Sequence, residues 1–120
     1  MIQIAVAGSL LVALPAVAEI PTIEQAKARQ GPSGWSFDVT LSHPDTGWDH
    51  YADGWDVMDQ DGTILGQRTL VHPHVNEQPF TRSLSGVVIP DGVERVFIRA
   101  RCLVDGWGEP VFEIALDDAS

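Results

Sequence analysis

A second cysteine is missing: Cys102 is the only one in 120 residues, so no disulfide within the chain can staple the fold. Stability must come from a buried core instead. Positive charge is scarce as well, with 7 Lys and Arg against 17 Asp and Glu and a formal net charge of −10. Such a surface repels nucleic acid and anionic membranes, so neither is expected as a partner, whereas cations or a basic protein surface would be attracted. Familiar catalytic motifs are absent too. There is no Gly-x-Ser-x-Gly elbow, no glycine-rich phosphate loop after a strand and no HExxH helix. A small domain also offers a shallow surface rather than a deep pocket, so a non-enzymatic role is expected.

The one long apolar run, Ile2 to Leu14, is too short for a membrane-spanning helix of about 20 residues. Pro15 would break a helix at its end, and Ala16-Val17-Ala18 has the small residues of a leader-peptide cleavage site. Residues 1–18 are therefore read as a signal peptide, although no Lys or Arg stands at its start. An uncleaved anchor, a chain start slightly downstream and a buried N-terminal helix are the alternatives. Export implies a periplasmic or secreted protein, without membrane insertion once the leader is removed. No cysteine lies near the cleavage point, which argues against a lipid anchor there.

What is present reads as strands. Trp35, Phe37, Val39 and Leu41 alternate with Ser36, Asp38, Thr40 and Ser42, which is the period of a sheet with one oily face. Val96, Ile98, Ala100, Cys102 and Val104 repeat the pattern, as do Phe112, Ile114 and Leu116. Further strands are expected around Gly54–Met58, Thr63–Val71 and Phe80–Ile89, separated by turn signals at Asp59–Gly62 and Pro90–Gly92. Residues 19–34 stay open: Ile20, Ile23 and Ala26 fit a helical face, but an irregular first strand fits equally. The division is thus a leader (1–18), an N-terminal segment (19–34) and a domain (35–120).

Strands at this spacing predict an all-β antiparallel sandwich of about 6–8 strands. In layout it resembles the immunoglobulin and fibronectin type III class, by architecture only, since the Cys…Trp…Cys spacing of antibody domains is absent. The stretches 43–55 (HPDTGWDHYADGW) and 72–84 (HPHVNEQPFTRSL) also resemble a family of small exported bacterial proteins to which no activity attaches.

The strands are expected to run up and down as a meander, and in such a chain successive connections alternate between the two ends of the sheet. The connections at 43–53, 72–79 and 105–110 then share one end, and with them all four histidines, Trp48 and Trp107. A merely structural loop needs neither histidine nor tryptophan. His72-Pro73-His74 is extended by its proline, so both imidazoles are expected on one side. With His43 or His50 they would hold copper or zinc, and Asp49 or Glu77 would serve as oxygen donor or supporting partner. The plainer reading is that these histidines cap strand ends. Trp48, Trp107, Asp45 and Asp105 form the expected binding surface for a protein, glycan or small ligand. Trp48 and Trp107 equally suit a plug over the open end of the core.

Calcium is a further alternative, from the density of Asp45, Asp49, Asp53 and Asp56, although no spacing matches a calcium loop. Cys102 reads as an inert buried thiol, and its alternative is a copper or redox thiol. Arg82, Arg99 and Arg101 read as cross-strand partners of carboxylates. The expected role is an exported binding module with a copper or zinc site. An interaction module without metal and a structural accessory protein are the alternatives.

Overall fold

The computed structural model describes residues 19–118; the expected leader, Met1–Ala18, lies outside them. Among the described residues eight strands run β1 (Thr22–Gly31), β2 (Gly34–Ser42), β3 (Ala52–Met58), β4 (Ile64–Thr69), β5 (Phe80–Val87), β6 (Arg95–Cys102), β7 (Gly106–Trp107) and β8 (Phe112–Ala115). A single 3-10 turn, Leu116–Asp118, follows. No helix among the described residues is long and apolar enough to cross a membrane.

The strands form the all-β antiparallel sandwich that the alternation predicts. One sheet has the order β1-β2-β5, and the other β4-β3-β6 with β7 and β8 pairing successive stretches of the free edge of β6. The chain therefore crosses between sheets at β2–β3, β4–β5 and β5–β6, as a Greek key does, and is no simple meander. Between the sheets lies the core: Phe37, Val39, Trp55, Val57, Val96 and Ile98 have no exposed surface. Each is an alternate residue of its strand, so period two in the sequence becomes one buried face per sheet.

β1 explains its own ambiguity. Its pairing with β2 runs Ile23 to Leu41 and then Gln25 to Thr40, so Glu24 is an extra, bulged residue. The bulge shifts parity, and Ile23, Ala26 and Ala28 all turn to the core despite the uneven spacing. A three-residue step between apolar positions imitates a helix. The β1–β2 hairpin turns through Pro32-Ser33 into Gly34, whose φ of +124° and whose missing Cβ, which would lie 2.9 Å from Val87 O, both require glycine.

On the outer face of the larger sheet, Asp56 has no exposed surface although it faces away from the core. Arg99, directly opposite on β6, covers it with Nε 3.0 Å from both carboxylate oxygens. The guanidinium in turn lies 4.1 Å over the Trp107 ring. Burial raises the Asp56 pKa above the usual carboxylate value, and the bonds to Arg99 only partly offset this. Asp53 pairs with Arg101 on the same sheet and is also raised by burial.

Candidate functional site

The connections at 43–51, 70–79 and 103–105 meet at one end of the sandwich. Asp45 Oδ2 accepts the His74 backbone N–H at 2.7 Å, the Leu103 N–H donates to Tyr51 O at 2.9 Å, and the Trp48 and His72 rings lie 6.3 Å apart. Gln78 ties the same loops together, accepting the His43 N–H at 2.9 Å and donating to His74 O at 2.8 Å. At the opposite end, Asp59–Asp61 and Asp91–Arg95 line a common cavity. The histidine-bearing connections are thus found together at one end, as expected, but Gly106–Trp107 forms β7 and carries Trp107 to the outer face of the larger sheet.

Within that end the histidines divide. His43 is fully buried, and its Nδ1 lies 2.6 Å from Asp45 Oδ1, which leaves Nε2 without a hydrogen-bond partner. His50 meets it edge to face with ring centroids 4.8 Å apart, and its own Nε2 is buried and unpartnered. The third member is Cys102. It is the last residue of β6, opposite Ala52 in register, so its inward side chain reaches the space beneath the His50 loop. One donor atom from each of His43, His50 and Cys102 lies within 4.8 Å of the others. Bonds of 2.0–2.3 Å place neighbouring ligands about 3.3–3.8 Å apart, so a shift of about 1 Å would close this set around an ion.

Two carboxylates border the trio. Asp105 Oδ2 lies 3.7 Å from Cys102 Sγ and 3.9 Å from His50 Nε2, while Glu19 Oε2 is 3.7 Å from the same nitrogen. Asp45 stands behind His43 as a buried hub. Besides the His43 ring and the His74 N–H, it accepts the Ala52 N–H at 2.9 Å. This holds His43 Nδ1 and leaves Nε2 as the nitrogen open to another partner, the arrangement common among metal-ligating histidines.

The His72-Pro73-His74 segment is used otherwise. His74 stacks on Phe80 at 3.9 Å with 12° between planes, and Arg82 lies 2.7 Å from its Nε2. An arginine has only donors, so that nitrogen is occupied as an acceptor. Burial pushes the His74 pKa below the usual histidine value, and the Arg82 charge pushes it further down. His72 is exposed beside Trp48. The two imidazoles diverge because 70–79 is not a strand, so the same-side rule for alternate residues has no hold there.

The other expected site residues scatter. Asp49 is exposed, and Glu77 lies 3.6 Å from Arg82. Trp48 is 65% exposed, whereas Trp107 packs under Arg99 on the outer sheet face. Asp45 is buried structure instead of surface. The calcium alternative finds no convergence, because Asp53 and Asp56 each face an arginine and Asp45 faces hydrogen-bond donors.

One consequence of the His74 setting can be measured. With its folded-state pKa below the unfolded value of about 6.5, the unfolded chain takes up a proton that the folded one refuses, so stability is lost as pH falls through about 6.5. His74→Gln is expected to flatten that part of a stability-versus-pH curve measured by urea unfolding; an unchanged slope would refute the assignment.

A protein of Halomicrobium mukohataei described as a "Putative lipoprotein" is 43% identical to this chain over 72 residues, or 60% of the chain. The match covers 35% of that protein, so the chain spans about a third of the length of the relative it matches. No protein-family profile and no solved structure matches the chain.

Proposed function

We propose that the chain is an exported, cell-envelope binding module, not an enzyme, that holds zinc or copper through His43 Nε2, His50 Nε2 and Cys102 Sγ. The observation that carries this reading is the convergence of donor atoms of His43, His50 and Cys102 within 4.8 Å, together with an Nε2 atom on each histidine that is buried and has no hydrogen-bond partner. Leaving two such nitrogens desolvated costs about 1–3 kcal/mol each. A bound cation removes that cost, and an imidazole–thiolate set suits Zn(II) and copper better than Ca(II) or Mg(II). The export half of the proposal is supported by the leader-like 1–18 segment and by the name of the Halomicrobium relative.

The test is titration of the purified chain with Zn(II) and with copper, read by metal content after dialysis and by the histidine NMR signals. One equivalent is expected to bind and to shift His43 and His50. Cys102→Ser is expected to weaken binding at least about tenfold, and His72→Ala to leave it unchanged. Retention of wild-type affinity by Cys102→Ser, or loss of it by His72→Ala, overturns the assignment.

A second reading, an interaction module without metal, has its own support in the apolar rim at the same end, where Trp48, Val71 and Val104 are 65%, 59% and 64% exposed. Absence of any metal after titration, with intact folding, would favour it.

A further inference from the structure

The segment that enters β1 is held against the cluster. Pro21 is buried, and Ile20 Cγ2 sits only 2.3 Å from where a side chain on Gly108 would begin, so glycine there makes room for Ile20. This places the Glu19 backbone nitrogen 3.0 Å from Asp105 Oδ2, the same oxygen that lies 3.7 Å from Cys102 Sγ and 3.9 Å from His50 Nε2. Glu19 is also the residue that follows Ala16-Val17-Ala18, where the sequence predicts leader cleavage.

We propose that cleavage between Ala18 and Glu19 turns the Glu19 nitrogen into a ligand of the metal site. The proposal rests on the metal-binding reading of His43, His50 and Cys102. In the uncleaved chain this nitrogen is an amide, whose lone pair is delocalised into the carbonyl and which can only donate to Asp105. Hydrolysis by an exporting peptidase adds water across the bond: the hydroxyl goes to the Ala18 carbonyl, giving a carboxylate, and the nitrogen keeps its bond to Glu19 and becomes a primary amine. Once deprotonated, that amine has a lone pair next to Asp105 Oδ2, the oxygen that borders Cys102 and His50. Beside His43, His50, Cys102 and the bordering carboxylates, the processed protein thus offers one more nitrogen donor than the precursor. Tight metal loading therefore follows export and does not precede it.

Among the described residues, every core residue lies between Ile23 and Leu116, so a chain starting at Glu19 retains all of them. Three forms can be compared by competition titration with Zn(II) against a chromophoric chelator: the full chain, the chain starting at Glu19 with a free amine, and that shorter chain with its amine acetylated. All three are expected to bind, with the free-amine form tighter than the other two by about tenfold or more. Glu19→Gln with a free amine is expected to keep the advantage, because the backbone nitrogen supplies it. Gly108→Ala, which displaces Ile20, is expected to lose it. Equal affinity across the three forms overturns the inference while leaving the metal site standing. Binding by none of them, with the fold intact by circular dichroism, overturns both.

Discussion

Replacing Arg99 by methionine is expected to destabilise the domain by about 3 kcal/mol or more, because it leaves the Asp56 carboxylate buried without a counter-charge. The lower end of the usual range applies, since Arg99 keeps 20% of its side chain in contact with water while Asp56 keeps none. For a domain of this size that corresponds to a fall in Tm on the order of 15 °C. The loss depends on pH in a defined sense. Burial already raises the Asp56 pKa, and without Arg99 nothing nearby holds it down. An acid with a raised folded-state pKa contributes less stability as pH rises from the unfolded value near 3.9 through the folded one. The variant should therefore lie closer to wild type at pH 3 to 4 than at pH 7. Adding Asp56→Leu should recover most of the loss, because a buried ion pair replaced by apolar groups is often neutral. Additive losses in the double variant, by thermal unfolding, would show that Arg99 acts mainly through Trp107.

The same ion pair shows where sequence reading succeeds. Arg99 stands one residue off the apolar phase of β6, so its outward position follows from alternation alone, whereas the identity of its partner follows from the register that sets Asp56 opposite. β2 and β6 are equally plain, because neither carries a parity break inside its apolar run. β1 is obscured by a single bulged residue, Glu24, whose presence depends on pairing with β2 and leaves no local signature.

The candidate site divides along similar lines. Its location at one pole was legible, because strand count alone decides which connections share an end. Its membership was not. His72 and His74 attract attention by being two residues apart, yet proximity along an irregular loop says nothing about side-chain direction. Cys102 contributes from the far end of β6, joined to His50 only through the register that sets Ala52 opposite Cys102. One signal was available: a cysteine in the last inward position of a strand leading into the histidine-bearing end. Alternation reads it as core, and core burial is compatible with ligation when the neighbouring buried atoms are unpartnered nitrogens.

Asp45 links stability to the site, and its substitutions are expected to separate the two. Asp45→Ala removes the acceptor for the Ala52 and His74 backbone N–H groups and for the His43 ring. Each buried donor left unpaired costs about 1–3 kcal/mol, so a total loss of roughly 3–5 kcal/mol is expected by urea unfolding. The His43 ring also loses what fixes its orientation, and Zn(II) affinity should fall about 10–100-fold. Asp45→Asn behaves differently because of how the two oxygens are shared. Oδ1 serves both His43 and Ala52, whereas Oδ2 serves His74. An amide with its oxygen in the Oδ1 position keeps the first two bonds and turns its NH2 toward the His74 N–H, two donors face to face. It should therefore lose on the order of half the stability that alanine loses, yet bind Zn(II) within a fewfold of wild type. Equal losses of affinity in both variants would mean that the negative charge of Asp45, and not its hold on the imidazole, supports the metal.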